Sequence, residues 1–243
     1  MKSKSPLKLA GRLATVTGAN RGIGFEIAVA LAKEGCDLVI TGRDEKALSR
    51  AARTIESLGV RVLAQTCDIR NPESVDYLFV LVRALRRPLD FLINNAGIGQ
   101  PNYAVGELPY PMWMDVIETN LTGMFLMTTA GLAVMRRGST IVNNLSIAAE
   151  RIWAGSAAYC ASKHGALGFT DALREELRPK GIRVIALMPG ATDTAIWRTI
   201  SPKAPRNKMM STSVVARTVI DALLLPANTT VEKLVVTPSI GPL

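Results

Sequence analysis

Seven short runs of aliphatic and β-branched residues recur along the chain: Leu13 to Thr17, Asp37 to Thr41, Val60 to Gln65, Phe91 to Asn94, Thr140 to Asn144, Val184 to Met188 and Lys233 to Val236. Longer stretches with helical spacing of apolar positions separate them: Gly22 to Glu34, Glu45 to Leu58, Pro72 to Leu85, Met112 to Met135, Ala157 to Leu177 and Ser213 to Leu224. The strand candidates are nearly continuous in Val, Ile and Leu instead of alternating with polar residues, so both of their faces must be covered. Strands of that kind alternating with helices predict an α/β fold, a doubly wound parallel sheet of about seven strands with helices on both faces. The stretch from about Thr194 to Thr212 breaks the pattern with Pro202, Pro205 and several basic residues, and it is expected to be a substrate loop or lid.

A length of 243 residues, 48% apolar and 20% charged, suits one domain spanning 1–243. The three cysteines, Cys36, Cys67 and Cys160, form no CxxC pair, so neither a disulfide framework nor a metal site is expected, and a reducing cytoplasm fits. The basic start, with Lys2 and Lys4, reaches Gly11 and Arg12 before any apolar run of signal-peptide length. Thr119 to Met135 carries no charge but is too short and too rich in Thr and Gly to span a membrane. A net charge of +9 raises the question of polyanions. The basic residues are scattered (Arg86, Arg87, Arg136, Arg137, Lys203, Arg206, Lys208) and no nucleic-acid motif accompanies them, so neither nucleic acid nor membrane is expected as a partner.

Candidate chemistry starts after the first strand, at Thr17-Gly18-Ala19-Asn20-Arg21-Gly22-Ile23-Gly24. Glycines there let the backbone turn and approach a pyrophosphate, while the following helix presents free N–H groups and a positive dipole end. Its place between a strand and a helix makes this a dinucleotide-binding fingerprint of the Rossmann type. Where NAD-binding versions carry an acidic residue after the second strand, this chain reads Thr41-Gly42-Arg43. Arg43, with Arg21 facing it, suits a 2′-phosphate, so NADP(H) is expected over NAD(H). Asp44 is expected to cap the next helix.

Tyr159 and Lys163 stand at i and i+4 of a helix, on one face, and Ser146 follows the fifth strand at the carboxyl edge where such sheets bind ligands. A free tyrosine titrates near pH 10. A neighbouring lysine cation, with the charge of oxidised nicotinamide, would lower that by roughly two or three units. His164, the single histidine, is turned away around the helix and is read as packing.

In this order the segments resemble the short-chain dehydrogenase/reductase family, in its single-domain branch with an Asn-Ser-Tyr-Lys tetrad. The likeness runs through residues 17 to 24, Asp68, the run Asn94-Asn95-Ala96-Gly97, Asn120, Ser146, Tyr159 with Lys163, and Pro189 to Thr194. It implies that Tyr159 donates a proton to the substrate oxygen and that Lys163 binds the nicotinamide ribose. By the same likeness Ser146 orients the carbonyl and Asn120 holds a relay water. It also implies a cofactor bed of Gly18, Asn20, Arg21, Gly22, Ile23, Gly24 and Arg43, with Asp68 and the Ile69 amide on adenine and Asn95, Ala96 and Gly97 behind its ribose. Pro189, Gly190, Thr192 and Thr194 would surround the carboxamide. Thr192 and Ala149 depart from the family's usual Ile or Val and Gly.

Substrate contacts are expected from Ile98, Ile147, Ile152, Trp153, Ile196 and Trp197, which favour an apolar ketone or aldehyde as the small-molecule partner. The same likeness admits 3-oxoacyl-thioester reductases, and Arg198, Lys203, Arg206 and Lys208 could attract an acidic carrier. Against that stands Glu175, where those reductases often have a carrier-binding Arg. A non-catalytic NADP sensor on the same fold is the remaining alternative. The uncharged Thr119 to Met135 stretch with Ala157 to Leu177 resembles the helices by which family members form homodimers and homotetramers.

Overall fold

The computed structural model describes residues 7–241, so Lys2, Lys4 and the last two residues of the chain lie outside it. Seven strands form one parallel sheet: β1 (Leu13–Thr17), β2 (Asp37–Gly42), β3 (Val62–Thr66), β4 (Leu89–Asn94), β5 (Met135–Asn144), β6 (Arg183–Pro189) and β7 (Lys233–Val236). They stand in the order β3-β2-β1-β4-β5-β6-β7. The helices are α1 (Gly22–Lys33), α2 (Glu45–Glu56), α3 (Pro72–Ala84), α4 (Tyr110–Ile117), α5 (Gly123–Leu132), α6 (Ala157–Leu177), α7 (Trp197–Ile200) and α8 (Thr212–Leu223).

Alternate residues of each strand feed two separate cores, because successive side chains point to opposite faces. Leu38 and Ile40 of β2, with Ile93 and Val142, pack under α1, α2 and α8 through Ile27, Leu31, Leu48, Ile55, Val215 and Val219. Val39, Leu92 and Ile141 pack on the other face under α3, α5 and α6 through Leu78, Phe79, Met127 and Leu173. A smaller cluster of Met124, Leu145, Ala149, Ala166 and Met188 lies below the end of β5. The methyl of Ala149, the residue that departs from the family glycine, fills part of it.

Strand order reverses between β1 and β4, and at such a switch point the two flanking loops part to leave a crevice at the carboxyl edge. Two differences from the sequence reading matter most for the sheet and the site. The single helix expected over Met112 to Met135 is broken by one π-helical turn, Glu118–Thr122, which holds Asn120. Wide turns of this kind recur at functional sites because they re-aim one side chain. β5 also begins five residues before its apolar run, at Met135, through the polar segment Arg136 to Ser139. The Ser139 hydroxyl donates to the Leu89 carbonyl at 2.8 Å across the irregular β4–β5 register.

No described helix is long and apolar enough to cross a membrane. The supposed lid is partly ordered: it holds α7 and a 3-10 turn at Arg206–Lys208, and the Asp193 amide to the Met210 carbonyl (2.8 Å) and the Met210 amide to the Ala191 carbonyl (3.0 Å) tie its two ends together.

Candidate active site

Side-chain amides stitch the carboxyl ends of three strands together. The Thr17 hydroxyl accepts from the amides of Asn95 (2.8 Å) and Ala96 (2.9 Å), joining β1 to β4. Asn95 Nδ2 donates back to the Thr17 carbonyl at 2.9 Å, and Asn95 Oδ1 accepts from Asn144 Nδ2 of β5 at 2.8 Å. The phosphate loop is packed against this joint. A methyl on Gly24 would lie 2.2 Å from Asn95 Nδ2 and 2.6 Å from the Gly18 carbonyl oxygen, so only glycine fits. Gly18 and Gly22 both take positive φ, +62°.

The helix that follows this loop starts differently from the next two helices. Asp44 caps α2 by accepting from the Ala47 amide (2.9 Å), and Asn71 caps α3 by accepting from Ser74 (3.1 Å). Arg21, at the same position of α1, makes no side-chain cap, so the first-turn N–H groups of α1 lack a side-chain acceptor. A recess of about 220 Å³ beside them is lined by Gly18, Asn20, Arg21, Arg43, Asp68, Ile69, Asn95, Ala96 and Gly97. Arg21 and Arg43 are exposed, and among the described residues neither side chain makes a hydrogen bond or ion pair. The buried Thr119 hydroxyl on the same wall has no hydrogen-bond partner among the described residues. Asp68 is not free in this way. Arg70 holds both of its carboxylate oxygens, at 3.0 and 2.7 Å, and keeps its pKa below the usual value. That pair was not legible in the sequence.

The recess opens into a larger cleft of about 720 Å³, where Ser146, Tyr159 and Lys163 meet. Ser146, leaving β5, is the N-cap of a 3-10 turn (Ile147–Ala149), and its Oγ accepts from the Ala148 amide at 3.1 Å. Tyr159 and Lys163 come from the first two turns of α6, with Lys163 Nζ 5.7 Å from the centre of the tyrosine ring. Nζ donates to the Asn144 carbonyl at 3.2 Å.

Burial dominates the titration of both groups in the protein alone. It lifts the Tyr159 phenol above its ordinary value, against the opposing hydrogen bond with Ser146. It also lowers the Lys163 ammonium to about 8, because burial strips its hydration and no carboxylate among the described residues pairs with it. The protein's own groups therefore do not produce the lowered tyrosine pKa expected from the sequence.

Asn120, held by the π turn, is already occupied. Its Oδ1 accepts from the Ile98 amide (2.8 Å), and its Nδ2 donates to the Ile98 carbonyl (2.9 Å) and to Ser162 Oγ (3.0 Å). It thus ties the loop after β4 to α6.

Ile23, Ile98, Ile147, Trp153, Pro189, Gly190, Thr192, Thr194, Ile196 and Trp197 line the cleft. Trp197 is anchored there by its indole N–H, which donates to the Thr192 carbonyl at 2.8 Å. Ile152 does not join them; its side chain is 80% exposed and turned outside the cleft. His164 is likewise outside, with Nδ1 2.9 Å from the Cys160 carbonyl, and it is exposed instead of packed. On the lid, Arg206 is paired with Asp193. Lys203 lines the mouth without such a partner among the described residues. Glu175 forms an exposed pair with Arg178 (2.7 Å). Sequence reasoning also missed Gln100, a buried side chain beside Tyr159, since no local pattern separates it from an ordinary loop glutamine.

The family model for short chain dehydrogenases matches residues 12–205. A putative ketoacyl reductase of Streptomyces coelicolor is 41% identical over 187 residues, covering 75% of this chain and 71% of that protein. A 3beta-hydroxysteroid dehydrogenase of Mediterraneibacter gnavus is 36% identical, covering 76% and 67%. Among solved structures, a variant of the actinorhodin polyketide ketoreductase with NADPH superposes with a TM-score of 0.83 at 34% identity, covering 95% of this chain and 97% of that one. With the strand order and the loop geometry already described, these likenesses lead to one conclusion: the chain belongs to the short-chain dehydrogenase/reductase family of oxidoreductases.

Proposed function

We propose that this chain is an NADP(H)-dependent oxidoreductase that interconverts a carbonyl and a primary or secondary alcohol, with Tyr159 as the general acid and base. What carries the reading is that Ser146, Tyr159 and Lys163 share one cleft that runs on into the uncapped start of α1. The cofactor fits this chain's residues. The α1 amides and the glycine loop suit a pyrophosphate, and Arg21 and Arg43, whose side chains have no partner among the described residues, suit a 2′-phosphate. NADPH in the related polyketide ketoreductase supports the same choice.

When bound, the nicotinamide supplies or accepts the hydride. The protein's share is proton handling and placement. Raised by burial, the Tyr159 phenol stays protonated at neutral pH and is ready to donate to the oxygen of a carbonyl being reduced. Ser146, whose Oγ is fixed by the Ala148 amide, keeps its own hydrogen to share the charge developing on that oxygen. Below pH about 8 Lys163 is a cation, and it favours the phenolate left behind after proton donation. The Asn120 amide ties the loop before Gln100 to α6, so the cleft wall and the helix that carries the acid are joined through hydrogen bonds.

Ile98, Ile147, Trp153 and Trp197 support an apolar ketone or aldehyde as substrate. The ketoacyl reductase among the relatives and Lys203 at the mouth, without an ion-pair partner among the described residues, support a second reading, a 3-oxoacyl thioester with an anionic arm. The test is consumption of NADPH and of NADH by purified protein with aliphatic and aromatic ketones, aldehydes, diketones and an acetoacetyl thioester, with Tyr159→Phe as control. NADPH-dependent turnover that disappears in the control supports the proposal, and the preferred carbonyl decides between the two substrate readings. Tight NADPH binding with no turnover across the panel would instead favour a cofactor sensor.

A further inference from the structure

α6 starts without a cap of its own. Ser156, at the N-cap, makes no side-chain hydrogen bond to the first turn, and its hydroxyl lies 3.4 Å from Asn102 Oδ1 instead. The orphan N–H of Tyr159, third residue of the helix, is met from outside by Gln100 Oε1 at 3.0 Å. Gln100 belongs to the loop after β4, and its side chain is 1% exposed. Its Nε2 donates to the carbonyls of Gly155 (3.1 Å) and Pro101 (3.4 Å), and Gly155 also accepts from the Tyr103 amide at 3.0 Å. On the far side of the same residue, the Ser162 hydroxyl donates to the Tyr159 carbonyl at 2.8 Å and accepts from Asn120 Nδ2 at 3.0 Å. The Tyr159 backbone is thus gripped at its N–H by one amide side chain and, through Ser162, at its carbonyl by another.

We propose that Gln100 is a positioning residue that sets the place of the Tyr159 phenol in the cleft by capping the start of α6. The inference rests on the reading of Tyr159 as the proton donor. The loop that carries Gln100 is itself pressed by the lid, since a methyl on Gly99 would lie 2.5 Å from Ile200 Cγ1 and 3.2 Å from Ile196 Cγ1. Lid, catalytic helix and the Gly155 turn therefore meet at residues 99 and 100. Proton transfer depends steeply on geometry, and an error of 1 Å can cost about 100-fold in rate. A side chain that fixes the tyrosine backbone should consequently act on turnover more than on substrate affinity.

Two substitutions separate capping from packing. Gln100→Met keeps the volume and removes every hydrogen bond; Gln100→Glu keeps the acceptor for the Tyr159 amide and loses the donors to Gly155 and Pro101. With the carbonyl that the wild type reduces best, Gln100→Met is expected to lower kcat about 10- to 100-fold, leaving KM and the NADPH Kd within about threefold. Amide hydrogen exchange over residues 157–163 should speed up in step. Gln100→Glu should restore the protection and most of the turnover, and its added negative charge should move the basic limb of the pH–rate profile upward. The proposal is overturned if Gln100→Met keeps wild-type kcat, or if Gln100→Glu is as impaired as Gln100→Met with no recovery of exchange protection. Tyr159→Phe is run in parallel. Full turnover there removes the reading of Tyr159 and this inference with it, whereas an inactive Tyr159→Phe beside an unimpaired Gln100→Met removes the role of Gln100 alone.

Discussion

The two ends of the long crevice are built on opposite principles. At the end formed by the first βα turn, backbone takes the leading part. The α1 amides lack a side-chain cap, Arg21 and Arg43 stand exposed and unpaired among the described residues, and the shape comes from glycines within eight consecutive positions. At the other end the side chains that brace the site are buried and hydrogen-bonded. Lys163 reaches Asn144, Asn120 holds Ile98 and Ser162, and Gln100 holds the Tyr159 amide, all through contacts between distant segments. An open array of charges suits attraction and grip of a highly charged ligand, where a small displacement costs little. A closed, cross-braced array suits proton transfer, where a small displacement costs much.

Substitutions at the two ends should therefore fail in different ways. The largest effect is expected from Tyr159→Phe, which should reduce kcat by about 100- to 10,000-fold while NADPH still binds, as read by initial rates beside a fluorescence titration. A loss of binding to match would mean that the two ends are not separable. Next comes Arg43→Ala. Removing one charge-assisted contact should weaken NADPH about 10- to 100-fold and leave NADH and the kcat at saturation nearly unchanged. Equal weakening of both nucleotides would take Arg43 off the 2′-phosphate.

Gly24→Ala attacks the joint between the ends, because its methyl would collide with Asn95 Nδ2 and the Gly18 carbonyl. It should lower unfolding stability by about 1–3 kcal/mol and weaken both nucleotides, measured by denaturant melts and titration. The smallest shift, and one of opposite sign, is expected from Lys163→Met. The Lys163 ammonium is harder to accommodate in the folded protein, where it titrates at about 8, than in the unfolded chain, where it titrates near its ordinary 10.5. Wild-type stability should then rise as pH climbs from about 8 toward 10, since over that interval the unfolded state binds the extra proton. Lys163→Met should lack this rise and be more stable at pH 7 by roughly 1–2 kcal/mol, while turnover falls sharply. Urea melts at pH 7 and 9.5 decide it; a destabilised variant at pH 7 would show that the bond to Asn144 outweighs the cost of the buried charge.

What could be read without coordinates follows from how local each signal is. Seven strands, the five helices α1, α2, α3, α6 and α8, and the parallel, two-faced sheet were legible because apolar period and run length are written in neighbouring residues. The glycine turn after β1 and the Asp44 cap were legible for the same reason, since their atoms lie within a few residues of one another. The break in the Met112 to Met135 helix was not, because a π turn is selected by what its side chains meet, here Asn120 against Ile98 and Ser162. Nor was the outward turn of Ile152, which looked like a wall residue by composition alone.

The sequence by itself determined the order of the elements, the glycine positions and which residue types stand at each strand end, since these depend on local backbone preference and hydrophobic periodicity. Only the tertiary structure decided which of those side chains meet and in what charge state. Gln100 lies 59 residues from Tyr159, Asn120 lies 42 from Ser162, and Lys163 is lowered to about 8 by burial alone. Contacts across such separations, and the loss of hydration that sets a buried pKa, exist only once the sheet has closed and its helices have covered it.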